Sequence, residues 1–247
     1  MSTLKAVYIN ELFKISKKKK IIVASIFSIL AVLVAAIIVY SLNSFVGIRV
    51  TGSSEFSLLV LTVLIYTLIP LFTAFVCIDM FGGEFSEQTI KLTLTSPASR
   101  LTVFTGKILA AASFIMANLL FVMILSVLAS FFINGTSYGY LKILLSYIAA
   151  FFPLFVFSML VVVISLLARG TTSAFMLTVL LYLVLIALTL IFPILKSFIF
   201  TSAFDCYRLF LGSYINFSKI IRVFLILCGY GMMLFGIGYC LFDKKNI

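Results

Sequence analysis

The residues able to do chemistry are few, and most fall in one stretch. Between Asp79 and Lys107 the chain carries Asp79, Glu84, Glu87, Lys91, Arg100 and Lys107. Gly82-Gly83 is expected to break a helix there. Glu84 to Leu94 is read as a short helix, with Glu84 and Glu87 near its N-terminus, where the peptide dipole favours anions. Pro97 ends it, and Ser99 is placed to cap the next helix, which carries Arg100 and Lys107. Charged helices in this arrangement offer ionic docking to another protein. The competing reading is a solvated connection.

Bond-making chemistry is poorly supplied. The chain has no histidine, which removes His-based triads, HExxH sites and most zinc sites. Gly106-Lys107 is followed by Ile108, and Leu101 stands where a phosphate-binding loop needs its first glycine, so no P-loop is present. Cys77, Cys206, Cys228 and Cys240 form no CxxC pair and read as small buried hydrophobes. The seven carboxylates are Glu11, Glu55, Asp79, Glu84, Glu87, Asp205 and Asp243. All lie outside or at the edges of the apolar runs, so no ion-coupling carboxylate is evident. Asn118, Tyr66, Ser113 and Ser126 are scattered polar points, read as helix-packing hydrogen bonds.

The elements that must hold these residues are apolar helices. The chain has 247 residues, of which 64% are hydrophobic and 10% charged. A soluble domain carries about 25% charged residues, so the solvent of this chain is mostly lipid. The net charge of +11 sits at the ends of apolar runs, as orientation anchors rather than as a nucleic-acid footprint. A crossing helix needs about 20 apolar residues. Six spans are expected, at about 21–41, 57–78, 108–133, 143–167, 174–195 and 222–242, in one all-α transmembrane domain covering 1–247. Pro70 is expected to kink the second span, and Pro153 lies inside the fourth. The block Lys17 to Lys20 before the first span resembles a secretory signal, but the apolar run is too long and no cleavage site follows.

Two segments do not span. In residues 4–17, Leu4, Val7, Tyr8, Leu12 and Ile15 recur at helical spacing, and only Glu11 spoils the apolar arc. This is read as an amphipathic helix in the cytoplasmic interface. Residues 196–219 are too greasy for free solution and too charged for a span, so short interfacial or re-entrant helices are expected. With both termini inside, 12 of the 18 cations are cytoplasmic, in accord with the positive-inside rule. Lys196, Arg208, Lys219 and Arg222 run against it.

The run Glu84-x-x-Glu87-x-Thr89-Ile90-Lys91-x-x-Leu94-x-x-Pro97-x-Ser99-Arg100, with Lys107 downstream, resembles the loop between spans two and three of ABC-2 type transporter permeases. That family's loop reads E-x-x-x-G-T-I-K-x-L-L-x-x-P-x-S-R and then a lysine. This chain departs at Gln88 and Thr93, and neither departure removes a charge. The N-terminal amphipathic helix, the six spans and the greasy segment before the last span also match. The resemblance implies that 79–107 holds a coupling helix seated in a separate ATP-binding subunit, with Glu84, Glu87, Thr89, Lys91, Pro97 and Arg100 toward that partner. It further implies a second permease subunit, identical or related. ATP and magnesium would be bound by the partner, leaving this chain with no cofactor and no catalysis of its own.

The short chain and its Thr-Ile-Lys variant look most like small bacterial permeases that expel peptide antibiotics. The expectation is therefore an exporter of an amphipathic or lipophilic substrate in a bacterial plasma membrane, with lipid, a second permease and an ATPase as partners. The alternative is a non-transporting polytopic scaffold or sensor. An intramembrane enzyme lacks a catalytic pair, and an ion-gradient carrier lacks the carboxylates.

Overall fold

The structure is a computed structural model that describes residues 3–45, 55–84, 99–134, 139–168, 170–192, 199–210 and 217–245. Among these residues the chain is helical throughout. In lipid a backbone without internal hydrogen bonds is too costly, and a helix satisfies every peptide group within its own segment. The order is α1 (Thr3–Ser16), α2 (Lys19–Phe45), α3 (Glu55–Tyr66), α4 (Leu68–Ile78), a π-helical turn (Asp79–Gly83), α5 (Arg100–Asn134), α6 (Tyr140–Leu167), α7 (Thr171–Ile191), a 3-10 helix (Phe200–Phe210) and α8 (Phe217–Lys244).

Helices α2, α5, α6, α7 and α8 are each long and apolar enough to cross a membrane, and α3 with α4 and its π turn, bent by 45°, is apolar enough to be either a sixth, broken span or a re-entrant pair. This is an all-α integral membrane protein. Helix α6 is its axis, two-thirds buried, whereas few residues of α8 are fully buried. Apolar side chains such as Ile37, Leu180, Leu190 and Met232 face outward, as they must where lipid is the solvent. Helix α5 starts at Arg100, as the expected capping by Ser99 implies, and α8 covers Phe217–Lys244, beyond the expected 222–242 at both ends.

The two internal prolines show how broken backbone is tolerated here. Pro70 has no N–H for the carbonyl of Tyr66, four residues earlier. The chain breaks at Thr67 and α3 and α4 meet at 45°. The freed Tyr66 carbonyl accepts a 2.9 Å hydrogen bond from the Tyr182 hydroxyl on α7. Pro153 likewise frees the carbonyl of Ala149, which accepts from the Cys206 thiol of the 3-10 helix at 3.2 Å. Neighbouring helices thus supply the missing donors.

The 3-10 helix fulfils the expectation of a short non-spanning helix between spans five and six. It buries Phe200, Thr201, Ala203, Phe204, Cys206 and Tyr207 against the bundle, chiefly against α6. One expectation fails. Gly82-Gly83 does not break the helix, because the chain continues through the π turn into Glu84. Both glycines are buried, and a Cβ on Gly82 would meet Ser165 of α6 at 3.7 Å, an ordinary contact distance. Helix α1 forms where an N-terminal helix is expected, packs along the start of α5 and buries Glu11 and Ile15.

Candidate functional site

The charged side chains gather at the end of the bundle that holds both termini. Helix α1 crosses the first turns of α5 closely, because Gly106 has no side chain. A Cβ there would come within 2.7 Å of Val7 Cγ1. The Tyr8 hydroxyl and Ser113 Oγ hydrogen-bond at 2.7 Å across the same contact. This approach carries Glu11 inward onto Lys107, whose side chain is fully buried.

Lys107 Nζ donates to Glu11 Oε2 at 3.0 Å and to the Met80 carbonyl at 3.2 Å, and it forms an ion pair with Glu84 Oε2 at 2.8 Å. Lys14 closes the square, with Nζ 2.8 Å from Glu11 Oε1 and 3.1 Å from Glu84 Oε1. Two carboxylates face two ammoniums, so the quartet is neutral. Taking a charge out of water costs several kcal/mol per ion, which geometry of this quality offsets. Burial works to raise the Glu11 carboxyl, but the Lys107 charge and the hydrogen bonds from Lys14 and Lys107 outweigh it and hold the group below its ordinary value. For Lys14, burial works downward, but bonding and charge from Glu11, then Glu84, hold it above the usual lysine value.

Further ties close the same end. Lys18 and Lys20 both bond Asp79 at the start of the π turn, Lys20 at 2.6 Å. Ser99 caps α5 as expected, accepting the Thr102 N–H at 3.2 Å. Arg100 donates to the Asp243 carbonyl at the end of α8 and lies 3.7 Å from its carboxylate. Lys245 donates to the Leu166 carbonyl at 2.8 Å, one of the last carbonyls of α6. Phe104 is ringed by Phe81, Phe235, Tyr239 and Phe242, with centroids 5.4–5.9 Å away.

Of the six residues singled out from the sequence, Glu87, Thr89, Lys91 and Pro97 lie outside the described residues. Glu84 is turned inward onto Lys107 and Lys14 and is mostly buried, rather than presented on an open face. Arg100 is exposed and engages Asp243. Sequence reasoning missed Glu11 and Lys14 as site residues. The signal was the lone carboxylate in the apolar arc of α1, an anomaly that only a buried cation explains. Ser113 and Ser126 behave as expected, Ser126 Oγ meeting the Tyr147 hydroxyl at 3.1 Å. The cysteines are free, with Cys77 and Cys206 buried, but Cys240 is exposed on α8. Among the described residues no cluster suits a metal ion.

Glu84, which precedes residues 85–98, is tied to α1 and α5, and Arg100, which follows them, is tied to α8. The fold defines a multi-pass membrane protein. A family described as ABC-2 family transporter protein matches residues 9–189, well over half of the chain. The chain therefore belongs to the ABC-2 transporter family, as the permease component of an ABC transporter, which pairs with an ATP-binding subunit. No curated protein matches it.

Proposed function

We propose that this chain is the permease subunit of an ATP-driven exporter in a bacterial plasma membrane, with the end that carries both termini facing the cytoplasm. The observation that carries the reading is the anchoring of residues 85–98 at both ends, by Lys107 and Lys14 through Glu84 and by Asp243 through Arg100. A segment held this way passes movement to the spans instead of absorbing it. Glu87, Thr89, Lys91 and Pro97 contact the ATP-binding subunit. Glu84 and Arg100 are positioning residues behind them. A second permease chain, identical or related, completes the pore. ATP and magnesium sit on the partner, and this chain performs no catalysis. The apolar body suits an amphipathic or lipophilic cargo, of the peptide-antibiotic or drug-like kind.

The test is cargo-stimulated ATP hydrolysis by the assembled complex in vesicles. Glu87→Lys combined with Lys91→Glu is expected to abolish stimulation while membrane insertion and the basal turnover of the ATPase persist. Full stimulation by that variant overturns the docking role. Reporter fusions after Gly135 are expected outside and fusions after Arg169 inside; the reverse pattern overturns the orientation.

A further inference from the structure

Helix α1 has two faces that differ in what covers them. Val7, Tyr8, Glu11 and Ile15 recur at helical spacing and turn toward the bundle, where Val7 lies against Gly106, Tyr8 bonds Ser113 and Glu11 meets Lys107. The opposite face carries Lys5, Ile9, Phe13 and Lys17, each one helical turn after the last, so they form a single ridge. Ile9 is 46% exposed and Phe13 57%. Lys17 Nζ lies 4.1 Å from the centre of the Phe13 ring. Among the described residues no carboxylate pairs with Lys5 or Lys17. Glu11 and Glu84 are engaged by Lys14 and Lys107, and Asp79 by Lys18 and Lys20.

The membrane boundary falls beside this ridge. Helix α2 is a span that begins at Lys19, and its Ile22, Val23 and Ile26 already turn outward into lipid. Helix α1 ends at Ser16, and the link between the two is one tight turn, in which the Lys18 N–H donates to the Ile15 carbonyl at 2.9 Å. The last turn of α1, with Phe13 and Lys17, therefore lies where an apolar run starts and flanking cations belong. We propose that this ridge is a contact surface for anionic phospholipid of the adjoining leaflet, with Ile9 and Phe13 among the upper acyl carbons and Lys5 and Lys17 on the phosphates. An apolar pair bracketed by two cations that no carboxylate engages matches that amphiphile. A neutral lipid makes no use of the cations, and bulk water leaves Ile9 and Phe13 bare. The lipid thus covers the back of the helix whose inner face delivers Glu11 to Lys107. The proposal rests on the membrane-spanning fold and not on the transport reading, since it concerns bilayer lipid and not cargo.

The chain contains no tryptophan, so Phe13→Trp supplies a single fluorescent reporter on the ridge. The test reconstitutes the full-length variant in vesicles of equal phosphatidylglycerol and phosphatidylcholine, with bromine on the acyl chains of one lipid or of the other, and reads quenching. Bromine on phosphatidylglycerol is expected to quench as though that lipid were favoured at the ridge by roughly fivefold or more, since one lysine near the surface contributes about that factor toward anionic lipid. Leu180→Trp, on the lipid-facing side of α7, a helix without a charged residue, should be quenched equally by both. Lys5→Gln with Lys17→Gln is expected to erase the preference at the Phe13→Trp reporter. The same pair of changes should leave quenching of the Leu180→Trp reporter as it was, which shows that the variant is still inserted and folded. Equal quenching of the Phe13→Trp reporter by the two lipids overturns the proposal, as does a preference that survives loss of both lysines. Absence of quenching by either lipid overturns it too, because the ridge then faces water or a second chain. Shielding of that reporter from both lipids once the ATP-binding subunit is bound assigns the ridge to protein contact and likewise overturns it.

Discussion

The two ends of this bundle are held together by different physics. At the end with the termini, helices are joined by charge: the Glu11–Lys107–Glu84–Lys14 quartet, Asp79 with Lys18 and Lys20, and Arg100 with Asp243. Deeper in the bundle they are joined by neutral groups, with hydroxyls and a thiol meeting carbonyls that prolines have freed. Ion pairs are strong but depend on each partner staying in place. Neutral bonds are weaker and survive sliding of the helices. On the proposed function, a permease that receives motion at the charged end and flexes along its length has reason for both.

The sharpest way to break this contrast is Lys107→Met. It leaves the buried Glu11 and Glu84 to share Lys14 as the quartet's remaining cation, and a cost of about 3 kcal/mol is expected, read as a large fall in the melting temperature of the purified protein. Glu11→Leu in the same chain should recover much of the loss, because a buried pair replaced by apolar groups is often nearly neutral. No recovery would mean that Lys107 acts through Glu84 and Met80 alone. Next in size is Tyr182→Phe, which leaves the Tyr66 carbonyl without its donor and should cost about 1–3 kcal/mol. Pro70→Ala on that background should return part of it by restoring the helical N–H, and hydrogen exchange across 66–70 would show the bond re-formed. Gly106→Ala drives a methyl into Val7 and should cost about 1–3 kcal/mol by overpacking, relieved by Val7→Ala; unchanged stability of the single variant would show that α1 is not clamped to α5.

The smallest effect near neutral pH is the titration of Glu11. Its folded carboxyl titrates below the ordinary value of 4.5. The stability it contributes is thus fully present above that pH and is lost as pH falls through the lowered folded value. Melting temperature should be flat from neutral pH to about 5 and then fall, with a shallower acid limb in Glu11→Gln. An identical acid limb in wild type and variant would place the acid sensitivity elsewhere.

Much of the fold is legible in the residues because the bilayer imposes one rule. Uncharged runs of the right length must be helices, and their flanking cations mark where they end, so the long apolar helices, the capping Ser99 and the weak point at Pro70 follow from local composition alone. The 196–219 segment is readable in the same way, as a sequence that fits neither solvent. What composition cannot say is which polar group meets which. Glu11 looks like a flaw in an amphipathic face until Lys107, 96 residues away, is found beneath it. Gly82-Gly83 carries a helix-breaking signal, yet the chain runs through a π turn into Glu84, which only the structure shows. Only the tertiary structure brought Tyr182 to Tyr66 and Cys206 to Ala149. The reason is that burial and hydrophobicity are properties of a residue and its neighbours in sequence, whereas an ion pair or a rescued carbonyl belongs to two helices at once.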